Sequence, residues 1–368
     1  MLLNKIRNFI KLKTSGGRVN MNYETIVGLE VHVELSTKTK IFCGCSTEFG
    51  KDPNSHCCPI CLGMPGTLPV MNRKVVEYAA KAGLALNCDI AEFSRFDRKC
   101  YFYPDMPKAY QISQFYIPLA KNGYLEIESD GKTKKIGIDI MHMEEDAGKL
   151  IHADDDNFSH VDLDRAGMPL VEIVSAPDIR SAEEAWLYLN KLRTTLQYID
   201  VSDCKMEEGS LRCDINISLR PEGAKEFGTK VEVKNLGSFR AVRRAIEYEE
   251  QRQRDILNSG GTITQETRRW DESRGMTIHM RGKVDNRYSF ENDMAPIIIT
   301  QDWLQEIEET LPELPDARKA RYITDYELPA YDADVLTASI ALAEFYEECV
   351  KHFDDPKAIS NWVMVEMM

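Results

Sequence analysis

The sequence predicts an α+β protein: a mainly antiparallel sheet forming a cradle with flanking helices, followed by a partial all-helical domain. Three observations carry that expectation. Residues 24–34 alternate Val27, Leu29, Val31 and Val33 with Glu30, His32 and Glu34, the period of a half-buried strand. Residues 211–219 repeat the pattern, setting Leu211, Cys213, Ile215 and Ile217 against Arg212, Asp214 and Asn216. Asp130-Gly131 separates two further strand-like runs as a hairpin turn. Strands of this kind offer one face to helices and one bearing acids, amides and bases, so their polar faces would line a shared basin.

Composition narrows the class. A chain of 368 residues with 43% hydrophobic and 29% charged residues has enough material for two or three domains and a large core. No apolar run approaches the length of a membrane span, so no membrane association is expected. The net charge of -14 argues against simple electrostatic wrapping of nucleic acid, although charge can be segregated locally. Ten cysteines without a secretory signal point to a reducing compartment, where cysteine pairs bind metal more often than they form disulfides. Residues 1–20 carry five basic residues and no acid. Met21 stands directly before the first strand, so 1–20 read as a non-native extension, with an organelle leader as the alternative.

Along the strand that opens the pattern, Glu30, His32 and Glu34 share a face and suit either a divalent cation or a solvated strand edge. Cys43, Cys45, Cys58 and Cys61 follow as two short-spaced pairs, the signature of a closed, structural zinc site in loop 43–61. His56 and Cys57 lie beside them, and Cys58 fits the C-x-x-C spacing best. A helix is expected over 71–86. Residues 97–111 then interleave Arg98, Lys99, Tyr101, Tyr103, Pro104 and Pro107 without a clean period, suiting either a ligand-contacting wall or a packed surface loop. Gly131-Lys132-Thr133 lacks the earlier glycine of a phosphate-binding loop and is explained by the hairpin.

Three acids, Glu144, Glu145 and Asp146, end the second hairpin strand and form a metal-site candidate or an exposed turn. Residues 168–174 form a strand with Glu172 in an otherwise apolar run. Ser181-Ala-Glu-Glu184 opens a helix through Leu196. Residues 230–235 set Glu232 between Lys230 and Lys234 on one face. Converging carboxylates there favour a hard cation such as Mg²⁺, with lysines for phosphates. A helix over 239–257 carries Arg240, Arg243 and Arg244 early, facing phosphate, acids or solvent. Residues 265–271 form a second base-and-aromatic cluster suited to RNA contacts. A break near 297 begins the helical region, including an amphipathic helix over 338–351 through Ile340, Phe345 and Cys349. The apolar pattern 359–367 has no helix-stop signal and reads as truncated.

Taken together, Gly28-Leu-Glu30-Val-His32-Val-Glu34, Tyr101-Phe-Tyr103-Pro-Asp105, Lys108-Ala-Tyr-Gln-Ile-Ser-Gln114, His142-Met-Glu-Glu-Asp-Ala-Gly-Lys149, Lys205-Met-Glu-Glu-Gly-Ser-Leu-Arg-Cys-Asp214 and Gln265-Glu-Thr-Arg-Arg269 resemble the B subunits (GatB) of the aspartyl/glutamyl-tRNA amidotransferases. The resemblance is collinear from Met21 to the chain end and includes Leu311-Pro-Glu-Leu-Pro-Asp316.

It implies a carbon–nitrogen ligase with glutamine as amido donor. ATP and Mg²⁺ would phosphorylate the side-chain carboxylate of Glu-tRNA(Gln) or Asp-tRNA(Asn), and ammonia from a separate glutaminase subunit would displace phosphate. A small third subunit would complete the heterotrimer in a prokaryotic cytoplasm, organelle import through 1–20 being the alternative. Carried onto this chain, Glu30, His32, Glu145 and Glu232, with Glu172 and Asp214, are implied Mg²⁺-site residues. Glu145, Lys99 and Lys234 are the implied catalytic groups. Cys43, Cys45, Cys58 and Cys61 are the implied structural Zn²⁺ ligands. A non-catalytic tRNA-docking scaffold and a metal-dependent nuclease are the alternatives. Where the family reads close to Asp-Tyr-Arg-Tyr-Phe-Pro-Glu-Pro-Asp-Leu-Pro-Pro, this chain has Asp285-Asn-Arg-Tyr-Ser-Phe-Glu-Asn-Asp-Met-Ala-Pro296 and loses most of the proline bracing. The family's C-terminal tail is missing too, which predicts weak tRNA affinity.

Overall fold

The computed structural model describes residues 22–152 and 158–367, so the expected extension 1–20 lies outside the described residues. In chain order the strands are β1 (Tyr23–Glu34), β2 (Asp89–Ile90), β3 (Phe93–Ser94), β4 (Asp97–Cys100), β5 (Tyr110–Ser113) and β6 (Ala120–Ser129). Next come β7 (Lys132–Glu145), β8 (Lys149–His152), β9 (Ser159–Asp162), β10 (Pro169–Ser175) and β11 (Leu211–Pro221). The last are β12 (Val231–Lys234), β13 (Glu266–Asp271), β14 (Met276–Gly282), β15 (Arg287–Phe290) and β16 (Ile297–Ile298).

An open 9-stranded sheet runs β14-β13-β12-β11-β1-β10-β7-β6-β2, with β1 at its centre. Its neighbours are antiparallel except β12 and β13, which pair in parallel. The exception has a covalent cause. Helix Phe239–Asn258 carries the chain from the end of β12 back to the start of β13, as a parallel pair requires.

The alternation in β1 becomes two faces. Val27, Leu29, Val31 and Val33 are fully buried, each contributing roughly 1.5–3 kcal/mol of burial. Helices α1 (Arg73–Ala85), α2 (Ala182–Tyr198) and α3 (Phe239–Asn258) share one core with them. Ser181 caps α2 by accepting from Glu184 N–H at 3.1 Å, as the Ser-x-x-Glu spacing predicts. Glu184 in turn accepts from Arg180 N–H at 2.7 Å, one residue before the expected partner.

A 3-stranded sheet, β15-β4-β5, holds the two ends of the aromatic-rich stretch 97–111, whose middle is the loop between β4 and β5, and stands at the end of β7. Helix α4 (Gln301–Glu308) packs Trp303, Leu304 and Ile307 into the large core, together with Ile297 and Ile299. Helices α5 (Pro315–Asp325), α6 (Ala330–Leu336), α7 (Ile340–His352) and α8 (Pro356–Trp362) build a second core around Tyr322, Leu336, Tyr346 and Ile359. Residues 297–314 thus pack on the large core, and the second core is built from 322 onward. In α7 the inward face is Ala343 and Tyr346, while Phe345 is 42% exposed. Among the described residues no helix is long and apolar enough to cross a membrane.

Candidate metal and active site

Strand register assembles the polar face of the sheet. His32 on β1 stands opposite Glu172 on β10, which stands opposite His142 on β7. Glu30 stands opposite Asp214 on β11, and Asn216 opposite Glu232 on β12. The result is two ligand groups, His32/Glu144/Glu172 and Glu30/Asp214/Glu232, each with ligand atoms within 4.8 Å of one another. Glu30 and His32 are one same-face step apart, about 7 Å along the strand, so the groups are neighbours.

In the first group His32 Nε2 lies 3.3 Å from Glu144 Oε1 and 3.6 Å from Glu172 Oε2. His142 Nε2 lies 3.1 Å from Glu172 Oε2 and 3.6 Å from Glu144 Oε2. Burial opposes charge on every member, but the mutual attraction wins. The Glu172 carboxylate and the Glu144 hydrogen bond raise His32 and lift His142 to about 10. Burial likewise works against ionised Glu144, yet hydrogen bonds to His142 and His32 hold it well below the usual carboxylate range. Glu172, similarly opposed by burial, is held at about 2 by His32 and His142.

The second group is balanced by Lys234, which bonds Asp214 and lies 3.0 Å from Glu232 Oε1. Thr267 Oγ1 donates to Glu232 Oε2 at 2.6 Å, and Asn216 Nδ2 donates to Glu30 Oε1 at 2.7 Å. The Asn216 Oδ1 is buried without a hydrogen-bond partner. An orphaned amide oxygen beside three carboxylates is a hard, all-oxygen donor set, which fits Mg²⁺. Burial first, then the Glu172 charge, raise Glu30 above the ordinary carboxylate value.

Burial works against the charged form of Lys99 on β4, but the nearby Glu144 and Glu172 charges raise its affinity for a proton. Glu34, the third acid on the polar face of β1, instead pairs with Arg165 at 2.6 Å. Arg165 and Arg212 also clamp Asp146, at 2.8 and 2.7 Å.

Glu145, expected among the Mg²⁺-site residues, does not share the polar face of the sheet with Glu30, His32 and Glu172. Its parity on β7 is that of the core-facing Met141 and Met143, so it points away from Glu144. There it pairs with Lys108 Nζ at 2.7 Å and accepts from Ile112 N–H at 2.9 Å. Sequence reasoning placed Glu144 in the acidic cluster without preferring it to Glu145, and did not single out His142. The signal was present, because Met141-His142-Met143-Glu144 alternates and places His142 and Glu144 on the polar face.

The Sγ atoms of Cys43, Cys45, Cys58 and Cys61 lie within 4.8 Å of one another, close to the spacing of a tetrahedral thiolate site. Cys57 turns away towards Asp164 at 3.5 Å. The second base-and-aromatic cluster is largely structural: Trp270 is buried, and Arg268 bonds Thr277 and Glu266 at 2.8 Å. Arg243 pairs with Glu183 at 2.9 Å.

Residues 25–305 match the family model described as the GatB/GatE catalytic domain. The chain belongs to this family. It is 61% identical over 352 residues to the B subunit of the aspartyl/glutamyl-tRNA(Asn/Gln) amidotransferase of Carboxydothermus hydrogenoformans, covering 94% of this chain and 73% of that protein. It is 60% identical over 351 residues to the protein of the same name from Caldicellulosiruptor saccharolyticus, covering 95% and 73%. Segment 285–296 is held by strand pairing and ion pairs. β15 pairs with β4, and Arg98 clamps Glu291 at 2.7 and 2.8 Å and Asp293 at 2.8 Å. Phe115 stacks on Tyr288 with ring centroids 4.1 Å apart.

Proposed function

We propose that this chain is the B subunit of a tRNA-dependent amidotransferase, acting in the cytoplasm as a heterotrimer with a glutaminase subunit and a small third subunit. Its substrates are ATP and Glu-tRNA(Gln) or Asp-tRNA(Asn). The side-chain carboxylate oxygen of the esterified amino acid attacks the γ-phosphorus and ADP leaves. Ammonia, derived from glutamine, then attacks the acyl carbon and phosphate leaves, giving the amide.

The observation that carries this reading is the pair of adjoining ligand groups, His32/Glu144/Glu172 and Glu30/Asp214/Glu232, on one sheet face. Mg²⁺ held there would neutralise the phosphates and the developing charge of phosphoryl transfer. Lys234 holds Asp214 and Glu232 in place, and Lys99, within the electrostatic reach of Glu144 and Glu172, would offer a cation to a phosphate or substrate carboxylate. Glu145, tied to Lys108 and Ile112, positions β7 so that Glu144 faces the basin. The four cysteines would hold a structural Zn²⁺ that closes a loop too small for its own core.

Incubating the heterotrimer with γ-labelled ATP and Glu-tRNA(Gln), without any ammonia donor, tests the reading. Phosphate release that requires the misacylated tRNA is the expected result. No turnover would favour a docking scaffold, and RNA fragments a nuclease.

A further inference from the structure

Lys40 is fully buried, with its side chain 0% exposed, yet among the described residues no carboxylate lies within ion-pair distance of its Nζ. Its one side-chain hydrogen bond goes to a neutral group, the Leu163 carbonyl at 3.3 Å. Sequestering an ammonium from water costs several kcal/mol, so a buried lysine without an acid calls for another anion. The four-cysteine cluster is next to it. A side chain placed at Gly167 would meet Lys40 Cδ and Cys61 Cβ at the same distance, 3.6 Å, so the lysine stem and the cysteine line one gap. The Lys40 N–H donates to the Cys45 carbonyl at 3.0 Å, which fixes the residue to the ligand loop itself. The thiols its charge reaches are Cys57 and Cys61.

We propose that Lys40 is the counter-ion of the four-cysteine metal centre, a positioning residue that sets how tightly zinc is held without ligating it. Zn²⁺ with four thiolates has a net charge of minus two, and such a centre is stabilised by a buried cation beside it. The same centre compensates Lys40, so each charge makes burial of the other tolerable. This inference is independent of the phosphoryl-transfer reading, because its readout is metal affinity.

The test compares wild type, Lys40→Met and Lys40→Gln in the full chain by chelator competition for Zn²⁺, alongside thermal melts of the metal-free proteins. Glutamine keeps a donor for the Leu163 carbonyl but removes the charge. Both variants are expected to raise the apparent zinc Kd by about 10–100-fold, the usual effect of losing an outer-shell partner. Their metal-free forms should melt no lower than wild type, since a buried charge has been removed. A glutamine variant that holds zinc as tightly as wild type overturns the proposal. So does an equal loss of stability in metal-free and zinc-loaded forms, which would make Lys40 a packing residue, and so does a wild-type protein that takes up no zinc.

Discussion

His32 Nε2 lies 3.3 Å from Glu144 Oε1, while the next residue, Glu145, faces the opposite side of the same strand with its Oε2 2.7 Å from Lys108 Nζ. Consecutive acids thus have different work. Glu144→Gln is predicted to cut tRNA-dependent ATP turnover at least about 100-fold with the fold intact, as expected for a group acting on transition-state charge. Glu145→Gln leaves the half-buried Lys108 without its acid, so it is predicted to cost about 1–3 kcal/mol of stability. Parallel ATPase assays and denaturant titrations separate the two; loss of turnover in Glu145→Gln at unchanged stability would reverse the assignment.

Lys234 is the resident cation among Glu30, Asp214 and Glu232. In Lys234→Met the three acids face one another with only a metal to separate them. The variant should therefore melt well below wild type in chelator, and Mg²⁺ should restore more of the loss than it adds to wild type. At a hundredfold excess over Kd a bound ion contributes about 2.7 kcal/mol. An identical Mg²⁺ increment in both proteins would remove Lys234 from this account.

These distinctions show how far residues alone lead. The alternation in β1 and β11 announced the sheet and its polar face, bearing Glu30, His32 and Asp214, because side-chain parity is local. The choice between Glu144 and Glu145 depended on parity across a run of three acids, where composition gives no contrast. The parallel pairing of β12 and β13 was implicit in the helix between them but needed the crossover to be recognised. Arg165, which claims Glu34, and Lys108, which claims Glu145, come from segments distant in sequence, and no local pattern marks such partners.

Arg98 secures segment 285–296 through Glu291 and Asp293. Its partner Glu291 has a side chain with 0% exposure, so Arg98→Met strands a buried carboxylate. A loss of about 3–5 kcal/mol is predicted from urea titration. Faster proteolysis within 285–296 should accompany it. Unchanged cleavage there would mean that β15 pairing alone holds the loop.

The second core predicts two cooperative units. Tyr322 is fully buried and its hydroxyl donates to the Ala343 carbonyl at 3.1 Å. Tyr322→Ala should cost the helical unit about 3–5 kcal/mol, lowering one calorimetric transition and leaving that of the sheet in place. A single transition that moves as a whole would show that 315–367 folds with the sheet.

The central claim is that one sheet face holds divalent cations in two adjoining groups. Counting bound Mn²⁺ by electron paramagnetic resonance, in wild type and in the Glu144→Gln and Asp214→Asn variants, tests it most directly. Two ions are expected in wild type and one in each variant, with the double variant binding none. Two ions retained in every variant, or none in wild type, would contradict it.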